Sequence, residues 1–97
     1  MSIKMSVEVL YFADLKDITK KQKEEISLCE FSIRELKDII FRKYQELKEQ
    51  LWSNKDENFK SNISIVVNDE KISKVDPLSY KLQQGDKIAF LLPISGG

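Results

Sequence analysis

One long amphipathic segment, in a chain whose other apolar segments are short, most limits the possible folds. Ser32 and Glu35 form an S-x-x-E capping box at its start, and Phe31 and Leu36 are placed to form a hydrophobic staple. Apolar residues then recur at the three- and four-residue steps of one buried helix face. The pattern predicts a single helix of about four to five turns. Its apolar positions are Ile33, Leu36, Ile40, Tyr44, Leu47 and Leu51.

Short segments with strand signals lie on both sides of this helix. They are rich in β-branched, aromatic or aliphatic residues, as strands are. The polar stretches 16–23 and 52–62 contain turn-forming residues and are predicted to be loops, with Trp52 and Phe59 anchoring the second loop against the domain. The predicted strands are residues 6–12, 25–31, 63–68, a short piece at 71–72, and 87–93.

The resulting order is strand, strand, helix, strand, short strand, strand. A single long helix covers one face of a four- or five-stranded sheet, and the connection through the helix allows parallel pairing of the first and last strands. We therefore expect an α+β, β-grasp (ubiquitin-like) fold with a mixed sheet and the helix on one face. The length fits one domain, residues 1–97, with residues 93–97 as a flexible C-terminal tail.

Composition excludes several classes of function. The chain has no histidine and a single cysteine, Cys29, which argues against histidine-based catalysis, an internal disulfide and a cysteine-clustered metal site. Sixteen basic residues balance sixteen acidic ones, so we expect neither a nucleic-acid nor a membrane partner. The N-terminus lacks the apolar run of a secretory signal, and no segment is long and apolar enough for a membrane span. We expect a cytosolic protein that is not an enzyme and binds no metal.

Two features indicate function. Two of the three glycines are the last residues, Gly96 and Gly97, and a backbone without Cβ atoms can enter a narrow channel in a partner. Pro93 is expected to end the last strand and project the tail from the sheet. The alternative for the glycine pair is a harmless flexible end.

The second feature is apolar sequence on both faces of the central strands. Leu10 and Phe12 in the first strand, with Ala89 and Leu91 in the last, would lie on the face that the helix does not cover. Such a patch is typical of a partner site. The alternative is that residues 52–62 fold over it.

Two other candidate sites have simpler structural explanations. Cys29 is expected to be buried in a strand with a structural or neutral role. The mixed-charge run 19–25 is expected to be a solvated loop rather than a phosphate site.

The opening VLYFA (residues 9–13) and the closing segments GDKIAF (85–90) and PISGG (93–97) resemble the small subunits of molybdopterin synthase. Shorter similarities occur at Asp76-Pro77-Leu78 and Val67-Asn68, whereas residues 52–62 look like an insertion. This chain departs from the family at Leu92, where a proline is usual, and at Lys71, where an apolar docking residue is usual.

The resemblance implies a sulfur carrier with no catalysis of its own and no permanently bound cofactor. A ubiquitin-activating-enzyme-like adenylyltransferase would use ATP to adenylate Gly97, and a sulfur donor would convert the adenylate to a thiocarboxylate. The tail would then enter the large subunit of the synthase, in a heterotetramer, and give its sulfur to cyclic pyranopterin monophosphate. Gly96 would thread the channel, and the partner-binding residues would be Phe12, Leu91, Pro93, Ile94 and Ser95.

Other interpretations remain open from the sequence. The chain could be a sulfur carrier for thiazole synthesis, or a ubiquitin-related modifier for transfer-RNA thiolation, although Ser95 beside the glycines favours the molybdopterin branch. In a different class, it could be a ubiquitin-like adaptor that binds a partner through its apolar face without activation of its tail.

Overall fold

The computed structural model describes residues 5–72 and 76–92. Its elements in chain order are strand β1 (Met5–Leu10), helix α1 (Asp14–Thr19), β2 (Lys23–Leu28), helices α2 (Ile33–Lys43) and α3 (Gln45–Leu51), strands β3 (Trp52–Ser53), β4 (Asn58–Phe59), β5 (Ser64–Val67) and β6 (Glu70–Lys71), a 3-10 helix (Pro77–Ser79) and β7 (Lys87–Leu91).

Five of these strands form one mixed sheet in the order β2-β1-β7-β5-β6. Strands β1 and β7 pair in parallel, with Leu10 opposite Ala89, and every other pair in this sheet is antiparallel. The last strand thus lies at the centre, next to the first, because the connection through the helices carries the chain across the sheet. This confirms the predicted β-grasp fold.

The helices cover one face of the sheet and bury its inward-facing side chains. Along β1 these are Val7 and Val9, followed by Tyr11 just after the strand; along β7 they are Ile88 and Phe90. All five are at most 1% exposed. Alternate residues point to opposite faces of a strand, so the intervening residues lie on the other side of the sheet.

The prediction of one continuous helix was wrong. The helical segment breaks at Tyr44, whose φ of −134° and ψ of 94° are extended rather than helical. Leu47 and Leu51, beyond the break, are still fully buried, so the periodicity predicted the buried face correctly. The break has a tertiary cause, because Tyr44 packs edge-on against Tyr11 and donates a hydrogen bond to Glu24.

The helix start follows the capping prediction in part. Ser32 Oγ accepts a hydrogen bond from the backbone N–H of Glu35 at 3.2 Å. The Glu35 carboxylate accepts from the N–H groups of Cys29, Glu30 and Phe31 instead of from Ser32. Phe31 has a φ of 62°, and this turn brings those donors together over the helix N-terminus.

Both predicted polar loops contain regular structure. Helix α1 occupies part of residues 16–23 because Leu15 and Thr19 are buried against the core. Residues 52–59 form a two-stranded hairpin rather than an unstructured loop, and Phe59 is only 7% exposed. Phe59 stacks on Phe90 with 5.5 Å between ring centroids, as the predicted anchoring role requires.

Cys29 is exposed, contrary to the prediction. Strand β2 ends at Leu28, so Cys29 lies in the following turn rather than inside a strand. Among the described residues, no helix is long and apolar enough to cross a membrane.

Candidate functional site

The face of the sheet opposite the helices carries a row of apolar side chains at its centre. Leu10 lies directly opposite Ala89, and Ala89 lies directly opposite Val66, so the row crosses three neighbouring strands. These residues line an open hollow of about 500 Å³, to which Asn68, Asp69 and Lys87 add polar side chains. No helix covers them, because the helices occupy the other face.

Phe12 and Leu91 lie beside this row, two residues beyond Leu10 and Ala89 along the chain. Phe12 is 50% exposed and Leu91 is 38% exposed, which makes them two of the three large hydrophobic residues exposed in the described part of the chain. Both line the same hollow as Leu10 and Ala89. The structure therefore brings together the two sheet residues that the sequence selected for partner binding.

The hairpin of residues 52–59 does not cover this open face. Its Trp52 and Phe59 rings pack edge-on against Phe41 of α2, and Phe59 stacks on the buried ring of Phe90. Those contacts lie on the helix side of the sheet. The alternative explanation, that residues 52–62 fold over the apolar patch, is wrong for the described residues.

The chain leaves the sheet beside the open face. Strand β7 ends at Leu91, and Leu92 is the last described residue. The predicted tail residues Pro93, Ile94, Ser95, Gly96 and Gly97 lie outside the described residues.

The backbone around Phe12 is held from both sides. The N–H of Tyr11 donates to the carbonyl of Gln22 at 2.9 Å, and the N–H of Leu15 donates to the carbonyl of Phe12 at 3.1 Å. Between them Ala13 has a φ of 52° and a ψ of −126°, a conformation suited to glycine. The exposed Phe12 ring thus extends from a turn fixed by the buried Tyr11 and Leu15.

A buried carboxylate lies under this turn, on the helix side of the sheet. The Glu24 side chain is 7% exposed and accepts hydrogen bonds from the hydroxyls of Tyr11 at 2.9 Å and Tyr44 at 3.1 Å. It also pairs with the ammonium groups of Lys21, at 3.1 Å, and Lys43. The sequence-based interpretation of residues 19–25 as a solvated loop missed this cluster, since Thr19 and Glu24 are buried.

The cluster controls the protonation of its members. Burial by itself would raise the pKa of Glu24, but hydrogen bonds from Lys43, Lys21 and the two tyrosines outweigh it and lower that pKa to about 2. Burial and the hydrogen bond to Glu24 raise the pKa of Tyr11. Glu24 is therefore an anion and Tyr11 a neutral donor at neutral pH. No sequence signal identified Glu24, because its partners come from separate elements.

The ThiS family model matches residues 9–97, a range that begins within β1 and runs through β7 to Gly97. The chain belongs to the ThiS family. The resemblance to ubiquitin-like sulfur carriers, stated from the sequence, is confirmed.

Solved structures similar to this ThiS-family chain agree with the fold. The complex of subunits 1 and 2 of molybdopterin-converting factor from Helicobacter pylori contains a chain 30% identical to it, with a TM-score of 0.62 and coverage of 96% of this chain and 100% of that one. A putative molybdopterin converting factor subunit 1 from Pyrococcus furiosus is 26% identical, with a TM-score of 0.71 and coverage of 93% and 99%. SAMP1 from Haloferax volcanii, at 22% identity, has a TM-score of 0.81 and coverage of 95% and 99%.

Sulfur carriers of the ThiS family are generally small subunits without catalysis of their own. Within the described part of this chain, no group of three or more aspartate, glutamate or cysteine residues is placed to hold a metal ion. The candidate site is therefore the open apolar face at Phe12 and Leu91, with Glu24 and its hydrogen-bond partners beneath the turn that carries Phe12.

Proposed function

We propose that this ThiS-family protein is the sulfur-carrier subunit of a molybdopterin synthase. The observation that carries the proposal is the open apolar surface at Phe12 and Leu91, located where the chain leaves the sheet toward Gly96-Gly97. The 30% identity to a chain in a complex of the two molybdopterin-converting-factor subunits supports this pathway over thiazole synthesis or transfer-RNA thiolation.

The reactive group in this proposal is the carboxylate of Gly97. A separate ubiquitin-activating-enzyme-like adenylyltransferase joins that carboxylate to the α-phosphate of ATP, and pyrophosphate leaves. A hydrosulfide equivalent from a sulfur donor then attacks the acyl carbon, and AMP leaves, which produces a thiocarboxylate. A thiocarboxylic acid is far more acidic than a carboxylic acid, so the ionised sulfur acts as a nucleophile without a base supplied by the carrier.

The partner in this proposal is the synthase large subunit. Phe12 and Leu91 dock on it, and Pro93, Ile94 and Ser95 lead the glycine pair into its active site, where sulfur passes to cyclic pyranopterin monophosphate. Two carriers in a heterotetramer supply the two sulfur atoms of the dithiolene. An apolar patch of exposed aromatic and aliphatic residues is suited to this role, because such residues dominate the energetics of protein interfaces.

The test of tail activation is intact-mass measurement after incubation with ATP, sulfide and the adenylyltransferase encoded in the same genome. A gain of about 16 Da, the replacement of one oxygen by sulfur, is expected, and deletion of Gly97 should abolish it. No gain in mass would contradict the carrier function and favour an adaptor that binds through its open face.

The pathway is tested by adding the large subunit from the same genome and cyclic pyranopterin monophosphate. Formation of molybdopterin by the thiocarboxylated carrier is expected, and Phe12→Asp should abolish it while leaving the activated tail intact. Thiocarboxylation without molybdopterin formation would instead favour another sulfur-transfer pathway.

A further inference from the structure

Two lysines bracket the apolar row on the open face. Lys23 on edge strand β2 is directly opposite Leu10, and Lys71 on edge strand β6 is directly opposite Val66. Directly paired residues share a sheet face, so the row reads Lys23, Leu10, Ala89, Val66, Lys71 from one edge of the sheet to the other. Four inter-strand spacings separate its ends, a distance of about 19 Å.

Neither lysine is neutralised by the described part of the protein. Both side chains are exposed, and no ion pair between described residues includes them. By contrast, Lys21, just before β2, and Lys43, at the end of α2, are both paired with Glu24. The next row toward the other end of the sheet contains both signs of charge, since Glu8 lies directly opposite Glu25 on one side and Lys87 on the other.

This arrangement disfavours a second copy of the chain that is stacked with this row directly on its own counterpart. Two copies stacked row against row place a lysine against a lysine at both ends, whether the two-fold axis runs along the row or along the strands. Like charges placed together at an interface oppose association. A partner with apolar side chains at the centre and carboxylates near both ends is complementary to the same row.

We propose that Lys23 and Lys71 select the partner of this carrier by pairing with acidic residues that flank an apolar contact on the partner's docking surface. This inference rests on the proposed function, in which the partner is the synthase large subunit. It adds the chemistry of recognition, namely two anionic positions about 19 Å apart. The lysines act mainly on encounter and specificity, as charges around an apolar contact do.

The experiment measures binding of the full-length carrier to the large subunit from the same genome, by calorimetry, at several sodium chloride concentrations. Lys23→Glu and Lys71→Glu are each expected to raise Kd by about tenfold and to reduce its dependence on salt. The matched control is Lys55→Glu, which makes the same change in net charge at an exposed position in the turn between β3 and β4, on the helix side. Its affinity is expected to stay within about twofold of wild type.

Each other outcome has a distinct meaning. If both charge reversals bind as the Lys55→Glu control does, or if Lys71→Leu binds more tightly than wild type, selection by charge is wrong while docking on this face stands. If the wild type associates with itself through this face, as sedimentation would show, the second copy is the occupant and the inference is overturned. If the wild type does not bind the large subunit at all, the proposed pathway fails and this inference fails with it.

Discussion

The hydroxyl of Tyr11 donates a 2.9 Å hydrogen bond to Oε1 of Glu24, which joins the end of β1 to the neighbouring edge strand on the helix side of the sheet. Tyr11 directly precedes Phe12, so the residue that completes the buried cluster also fixes the start of the turn that exposes Phe12. Lys21, Lys43 and Tyr44 complete the set of donors around Glu24. The stability of this cluster is therefore the first property to test.

Replacing Tyr11 by phenylalanine removes one donor and keeps the ring. We expect the free energy of unfolding to fall by about 1.5 kcal/mol, the lower end for a hydrogen bond to a charged group, because three donors to Glu24 remain. Urea denaturation measures this value. The control is Tyr80→Phe, which removes a hydroxyl from a side chain 38% exposed and should change stability by less than about 0.5 kcal/mol. Equal effects of the two substitutions would show that the Tyr11 hydroxyl contributes nothing specific.

The low pKa of Glu24 predicts a specific dependence of stability on pH. That pKa is about 2 in the folded protein against an ordinary value of 4.5. Since folding lowers the pKa, the stabilisation is fully present above about pH 4.5 and is lost as the pH falls toward 2. Glu24→Gln should be less stable than wild type at pH 7, and the difference should shrink on acidification.

Thermal unfolding of both proteins at steps between pH 7 and pH 2 checks this expectation. Glu25→Gln makes the same change in net charge at an exposed neighbour. The stability of this variant should therefore fall with decreasing pH as steeply as that of the wild type. A difference between wild type and Glu24→Gln that is constant with pH would contradict the stabilised carboxylate.

Alanine substitutions of Phe59 and Phe12 should have opposite relative effects on the stability of the protein and on its binding to the large subunit. Phe59→Ala removes a ring that is 7% exposed and stacked on Phe90, so we expect a loss of about 3 kcal/mol in the free energy of unfolding. Phe12→Ala, at a ring that is 50% exposed, should cost less than about 1 kcal/mol. In binding to the large subunit the order should reverse, with Phe12→Ala much the weaker binder at a temperature where both variants are folded. A loss of binding confined to Phe59→Ala would place the interface on the hairpin.

The turn after Phe12 holds a residue in an unfavourable conformation. Ala13 has a φ of 52° and a ψ of −126°, where a Cβ atom is strained and glycine is not. Ala13→Gly should therefore raise the free energy of unfolding by up to about 1 kcal/mol, after the entropic cost of glycine in the unfolded chain is subtracted. Ala89→Gly in the central strand is the control and should be destabilising. A destabilising effect at both positions would mean that Ala13 carries no strain.

Local patterns in the sequence determined much of the fold. The alternation of apolar residues in the first and last strands correctly separated the buried Val9 and Phe90 from the exposed Phe12 and Leu91. Ser32 was correctly identified as the helix cap, because capping depends on residues only three positions apart. The element order also predicted the parallel pairing of β1 with β7, since one helical crossover permits few topologies.

Only the tertiary structure decided the features that depend on contacts between distant residues. The helix breaks at Tyr44 because its hydroxyl reaches Glu24, twenty positions earlier, and a periodic sequence contains no sign of that contact. Glu24 is buried because four donors converge on it from different elements, although charged residues in a polar run are usually exposed. Residues 52–59 form a hairpin because Phe59 stacks on the ring of Phe90 in the central strand, thirty-one positions away in the sequence. Sequence periodicity records which face of an element is apolar, whereas the energy that bends a helix or buries a charge comes from partners that only folding brings together.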